Sequence, residues 1–177
     1  NVSSLQFNPA FTNLVERVLE DSGLDPALLE LELTEGVIMS NARASIDALH
    51  DLKQLGVSIS VDDFGTGYSS LSYLSKFPLD ELKIDRSFVI EYDKSARSAS
   101  LVSAIIAMGK SLNLRLVAEG VDDPEQFKFL RDNEVDVIQG YLFSKPIPAP
   151  EFARLLKNNH FPDQIRQMSK APTALTG

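Results

Sequence analysis

Val61-Asp62-Asp63-Phe64-Gly65-Thr66-Gly67-Tyr68-Ser69-Ser70 sets two adjacent carboxylates between an alternating run and a glycine-rich break. Upstream, Val57, Ile59 and Val61 alternate with Ser58, Ser60 and Asp62, the period-two pattern of a strand. Gly65 and Gly67 then permit backbone angles that other residues resist. Neighbouring strand residues point to opposite faces, so Asp62 and Asp63 can share a target only where the strand gives out. A parallel α/β sheet carries its chemistry at that edge, the carboxyl ends of its strands. An N-cap aspartate followed by a turn aspartate is the plainer account of the pair, and the rest of the chain decides between the two.

Working outward, strands and helices alternate. Asn8-Pro9 resembles a helix start, Phe11, Leu14, Val15, Val18 and Leu19 hold helical spacing, and Gly23 closes it. Leu28 to Leu33 alternates Glu30 and Glu32 with leucines and ends at Thr34-Glu35-Gly36. A helix over Ala44 to Gln54 leads into the strand Val57 to Asp62. A short helix around Ser70 to Leu74 precedes the strand Glu81 to Asp85. The segment Ser95 to Leu112 reads as the best amphipathic helix, with Leu101, Val102, Ile105, Ile106 and Leu112 inward. The strand Leu114 to Glu119, a helix from Asp123-Pro124 to Leu130, the strand Asp136 to Gln139 and a helix over Phe152 to Leu156 complete the series.

This alternation predicts a parallel α/β fold. Strands of an open parallel sheet tend to be apolar on both faces. Here each strand carries a polar set on one face: Glu30 and Glu32; Ser58, Ser60 and Asp62; Lys83 and Asp85; Arg115 and Glu119; Gln139. That suits a TIM-like (β/α)8 barrel whose interior becomes polar towards a solvated mouth. Such a barrel needs about 250 residues, so five strands and a remnant at Asn1 amount to roughly two thirds of one, N-terminally incomplete. The expected organisation is one domain over 1–160 and a polar tail or linker over 161–177.

Composition narrows the chemistry. The 177 residues are 44% hydrophobic and 24% charged, as in an ordinary globular domain. A net charge of −8 argues against a nucleic-acid polymer as partner. With no cysteine and only His50 and His160, thiolate sites, His-rich zinc sites and a Ser-His-Asp triad are all disfavoured. No apolar run reaches the length of a membrane span and no signal peptide is visible. The start at Asn1 suggests a piece of something longer.

Together the strand ends present Asn1, Glu32, Asp62, Asp63, Lys83, Glu119 and Gln139 to one mouth. Crowded carboxylates repel unless cations hold them, and oxygen donors without histidine or cysteine select hard ions such as Mg²⁺ or Mn²⁺. Two such ions about 4 Å apart can activate a water and stabilise the leaving oxygen of a phosphoryl displacement. Lys83 would add positive charge there. Taken singly, Glu32 could be an ion-pair partner of Lys83, Gln139 a core hydrogen-bonder and Asn1 a cap.

Asn1-Val2-Ser3, Glu32-Leu33-Thr34-Glu35, Asp62-Asp63-Phe64-Gly65-Thr66-Gly67-Tyr68-Ser69-Ser70-Leu71, Lys83-Ile84-Asp85, Ala118-Glu119-Gly120-Val121, Gln139-Gly140-Tyr141 and Ser144-Lys145-Pro146 resemble the EAL family of bacterial cyclic di-GMP phosphodiesterases. The resemblance runs to about Leu156 and implies hydrolysis of cyclic di-GMP to linear pGpG with two Mg²⁺ or Mn²⁺ ions. By the same motifs, Asn1, Glu32 and Asp62 resemble ligands of one metal, and Asp62 (bridging) and Asp63 ligands of the second. Lys83 and Glu119 are similar to the pair beside the attacking water, with Glu119 as base or second-site ligand. Gln139 matches a residue of the metal-water network, with Asp85 in the neighbouring motif. Glu35 resembles the carboxylate anchoring the loop of Phe64, Gly65, Thr66, Gly67, Tyr68 and Ser69, which in the family couples dimerisation to the site. Pro146 matches a segment bordering the guanine site.

The Glu-x-Leu motif that names the family is not in this sequence. The expectation is therefore a piece that is poorly active and marginally stable by itself. An intact parent is expected to be a cytoplasmic homodimer, fused to sensor or diguanylate cyclase-like domains and in some forms anchored to the inner membrane. Two other functions compete: a degenerate EAL domain serving as a cyclic di-GMP receptor, and an interaction scaffold with structural carboxylates.

Overall fold

The computed structural model describes residues 1–4, 7, 10–65, 71–92, 94–158, 161, 162 and 165. Among these residues five strands form one sheet in the order β1 (Glu30–Thr34), β2 (Ser58–Phe64), β3 (Glu81–Ile84), β4 (Arg115–Ala118) and β5 (Val137–Ile138). Every pairing is parallel. Val2 adds an isolated parallel bridge to Leu33 outside β1, so the chain start lies against the sheet. A sheet that keeps sequence order with every strand parallel is the curl of a TIM-like barrel, as the alternation predicted.

Helices fill the connections: α1 (Phe11–Ser22) before β1, α2 (Glu35–Met39) and α3 (Ala42–Gln54) after it, and α4 (Leu71–Leu74) after β2. Then come α5 (Arg86–Glu91), α6 (Ala96–Ser111), α7 (Pro124–Asp132) and α8 (Ala149–Lys157). Gly23 ends α1 with φ 64°, as its position suggested. Asp123 begins α7 with a complete capping box closed by Gln126. The short helices α2 and α5 went unseen in the sequence, because each starts directly at a strand end and carries too few turns to show a period. Asn8-Pro9 lies outside the described residues.

One sheet face builds the core. Leu33, Ile59, Val61, Leu82, Ile84 and Leu116 are wholly buried there against Leu49 and Leu52 of α3 and Val102 and Ile106 of α6. Leu101 departs from expectation: it is 49% exposed, because the inward stripe of α6 runs through Val102, Ile105, Ile106 and Gly109. Gly109 is required there, since a Cβ would sit 2.3 Å from Leu116.

The opposite face holds the polar set. Register puts Ser60, Glu81 and Arg115 at one level. Ser60 donates to Glu81 at 3.2 Å, and Arg115 lies 3.5 Å from the same carboxylate. Burial pushes the Glu81 carboxyl above its usual range, assisted by the charge of Glu30. One level nearer the carboxyl ends stands Lys83.

Candidate active site

Lys83 is built into β3 with only 5% of its surface exposed, so its ammonium must find partners inside. It finds three carboxylates, each from a different element. Its Nζ lies 2.6 Å from Glu119 Oε1, 3.1 Å from Glu32 Oε1 and 3.4 Å from Asp62 Oδ1. Burial works against the charged amine, but the hydrogen bonds to Glu119 and Glu32 and the pull of Glu119 and Asp62 outweigh it. The Lys83 pKa is therefore held well above that of an ordinary lysine.

The adjacent aspartates are reconciled by an irregularity. β2 runs two residues further than the alternation implied, to Phe64, and its register with β3 shifts between Val61 and Phe64. Asp63 adopts φ 54°, a left-handed conformation that aspartate tolerates better than most residues. Its N–H donates to Asp62 Oδ1 at 3.0 Å. The kink brings Asp63 into the field of its neighbours. Desolvation, then the charges of Asp62 and Asp85, push its carboxyl up, partly offset by Lys83.

The flanking positions fall as follows. Val2 N donates to Glu32 O at 2.9 Å, so Asn1 stands at the level of Glu32, exposed. Asp85 caps α5 by accepting from Ser87 N at 3.0 Å. Glu35, 3% exposed, accepts from Gly65 N at 3.0 Å through Oε2, and its Oε1 has no hydrogen-bond partner among the described residues. Phe64 is buried in the core and Gly65 has φ 93°. Thr66, Gly67, Tyr68 and Ser69 lie outside the described residues.

Beside this cluster a cavity of about 680 Å³ opens between the exits of β4 and β5, and Glu119, Gln139 and Pro146 all line it. Glu119 thus faces both ways, to Lys83 and to the cavity. Two more lining residues, Arg86 and Asp122, escaped the sequence reading, and Tyr141 entered it only as part of the Gln139-Gly140-Tyr141 motif, with no role. Asp122 holds the other two, with Arg86 Nη2 at 2.8 Å and Tyr141 N at 3.2 Å. The sequence signal was slight: Arg86 directly follows the strand read over Glu81 to Asp85, and Asp122 comes three residues after Glu119.

Among the described residues, no three acidic or histidine side chains are arranged as a ready metal shell. The donor chemistry nonetheless fits a hard divalent cation. Three carboxylate oxygens already converge within 3.4 Å of one positively charged atom, with no nitrogen or sulfur donor among them.

A family model described as EAL domain matches residues 1–146. The chain is 49% identical over 147 residues to the cyclic di-GMP phosphodiesterase NbdA of Pseudomonas aeruginosa, covering 83% of this chain and 19% of that protein. It is 46% identical over 152 residues to the bifunctional diguanylate cyclase/cyclic di-GMP phosphodiesterase MucR of the same organism, covering 85% and 22%. The chain thus spans about a fifth of the length of these curated relatives. Among solved structures, the PaMucR phosphodiesterase in complex with c-di-GMP superposes with a TM-score of 0.83 at 44% identity, covering 86% of this chain and 62% of that one. A manganese/cy-diGMP complex of Klebsiella pneumoniae BlrP1 superposes with a TM-score of 0.72 at 30% identity, covering 80% and 36%. With its parallel barrel-like sheet, its ordered strand-end carboxylates and a family match over most of its length, the chain belongs to the EAL domain family.

Proposed function

We propose that the protein containing this chain hydrolyses cyclic di-GMP to linear pGpG with divalent cations, two Mg²⁺ or Mn²⁺ ions per site. The observation carrying this reading is the convergence of Glu32 of β1, Asp62 of β2 and Glu119, just past β4, on Lys83. Glu32 and Asp62, with Asn1, would hold one ion, and Asp62 and Asp63 the other, Glu119 being a further donor. Ions bound there would supply an activated water and neutralise charge on the scissile phosphodiester.

The side chains divide the remaining work. Attack of water on phosphorus breaks one bridging P–O bond; the water gives up a proton, and the departing sugar oxygen takes one up from solvent at the open mouth. Lys83, its pKa held high, stays charged and stabilises negative charge without donating a proton. Glu119 bridges Lys83 and the cavity, the position for a base that accepts the water's proton. Gln139 offers amide donors and acceptors on the same cavity wall, and Pro146 an apolar edge. Asp85 steadies the entry to α5, and Glu35 anchors the loop that starts at Gly65.

The name of MucR, a bifunctional diguanylate cyclase/cyclic di-GMP phosphodiesterase, supports a companion cyclase domain in the whole protein. A homodimer joined through the Phe64–Ser69 loop and a cytoplasmic site belong to the same proposal. Among the described residues no helix is long and apolar enough to cross a membrane.

The test is cyclic di-GMP hydrolysis by the full-length protein in Mn²⁺ and in EDTA, wild type against Glu119→Ala. Metal-dependent pGpG release that the substitution abolishes, with nucleotide binding retained, is the expected result. Binding without any pGpG in the wild type would make the domain a receptor instead. Near-normal turnover in Glu119→Ala would remove the role given to that residue.

A further inference from the structure

Three successive strand exits are tied together outside the carboxylate cluster, and the tie encloses Glu119. Arg86 opens α5 after β3, and its stem lies across the backbone of Gly120. A Cβ at Gly120 would sit 2.1 Å from Arg86 Cγ, and Gly120 itself has φ 66°. The guanidinium reaches on to Asp122, Nη2 to Oδ2 at 2.8 Å, and the other oxygen of Asp122 accepts from Tyr141 N, beyond β5, at 3.2 Å. Asp122 N donates to Gln126 Oε1 at 2.8 Å, which joins the tie to the capping box of α7.

Between these anchors the backbone is pinned on both sides. Glu119 N donates to Ile84 O at 3.1 Å, and Val121 N donates to Gln139 O at 3.1 Å. The ion pair itself is open to solvent, with 56% and 35% of the two side chains exposed, so it adds little to folding stability. What it does have is position: Arg86, Asp122 and Tyr141 line the same cavity as Glu119 and Gln139.

The geometry points to Arg86 and Asp122 as positioning residues, a clasp that fixes the Glu119–Val121 backbone and so aims the Glu119 carboxylate between Lys83 and the cavity. This rests on the phosphodiesterase reading for its kinetic consequence, but not for its structural one. Two measurements on the full-length protein separate them, using Arg86→Met, which keeps the stem over Gly120, Asp122→Asn, the double variant and Arg86→Lys.

Hydrogen–deuterium exchange should speed up across 118–122 in Arg86→Met and Asp122→Asn while α6 exchanges as in the wild type. Hydrolysis in Mn²⁺ should lose kcat by about tenfold or more with KM little changed, the size expected when a reacting group is misplaced. The double variant should be no worse than either single one, and Arg86→Lys should recover much of the loss. Unchanged exchange at 118–122 would overturn the clasp, as would a rise in KM with kcat intact, which would make Arg86 a substrate contact. A wild type without turnover would sink the phosphodiesterase reading while exchange still decided the clasp.

Discussion

Replacing Lys83 by methionine keeps the volume of the stem and removes the one cation that three carboxylates share. Removing one partner of a fully buried ion pair costs about 3–5 kcal/mol, because the charge left behind is uncompensated. Glu32, Asp62 and Glu119 keep 15–25% of their side-chain surface at the mouth and can draw in water and counterions, which places the cost nearer about 2–3 kcal/mol. For a domain of this size each kcal/mol moves Tm by about 2–4 °C, so in EDTA the variant's domain should melt about 4–12 °C below wild type.

Divalent ions should narrow the gap. In the wild type an entering cation competes with the Lys83 ammonium for the same oxygens; in the variant it does not. The variant should therefore gain more Tm between EDTA and saturating Mn²⁺, while losing turnover on the order of 10²-fold for want of the charge near the phosphate. The pH dependence follows from the sign of the Lys83 shift. A lysine whose folded pKa is raised contributes stability that is fully present below its unfolded value of about 10.4 and lost only as pH rises through the folded one. The Tm gap between wild type and variant in EDTA should consequently stay flat from about pH 7 to 9, the range below that value. Calorimetry of the full-length protein, with and without Mn²⁺, reads the melting temperatures, and pGpG release reads the turnover. Equal melting in EDTA, or a variant that Mn²⁺ no longer stabilises, would refute the shared-counterion account.

Asp62→Asn should weaken Mn²⁺ binding by about 10–100-fold by titration calorimetry, since a carboxylate shared between two ions is hard to replace; undiminished affinity would count against bridging. Asp63→Asn should raise the EDTA melting temperature at neutral pH. A carboxylate with a raised folded pKa costs stability as pH climbs through the carboxylate range, so the gain should shrink on acidification. Gly140→Ala should destabilise by about 2–3 kcal/mol, because its Cβ would fall 1.9 Å from Val121 O and force the β4 and β5 exits apart; a denaturant midpoint like wild type would show that the strands can spread.

The strands were legible because β-period alternation and polar interior positions coincide, as at Ser58, Ser60 and Asp62. Their ends were not. β2 continues through Asp63 by adopting a left-handed residue inside the strand, and no residue pattern announces that outside glycine. The short helices α2 and α5 were missed because their starts overlap strand ends, and Glu35 serves both as helix start and as acceptor for Gly65 N. Leu101 was placed inward by counting apolar positions, although Gly109 carries the packing on that helix. Of the site, Glu32, Asp62, Lys83 and Glu119 were readable because each falls in the alternation on the polar face of its strand, Glu119 one residue past the strand's end. Arg86 and Asp122 were not, because their pairing crosses from one loop to another and leaves no spacing in the chain.

The ion-pair account of Glu32 and its account as a metal ligand do not exclude one another. Glu32 is in fact 3.1 Å from Lys83, as the plainer reading had it. A cage of acids without a counter-charge would drive its members to protonate or push the strands apart. Lys83, projecting from β3 between β2 and β4, lets such a cage fold before any metal arrives. On the proposed reading, the same charge would then remain beside the phosphate when a divalent cation took over the oxygens. A lysine at that position is therefore demanded twice, once by the stability of the empty cage and once by the reaction, and arginine would satisfy neither need as well. Its planar fork would bind one carboxylate in two-point fashion, whereas the compact ammonium is within 3.4 Å of three.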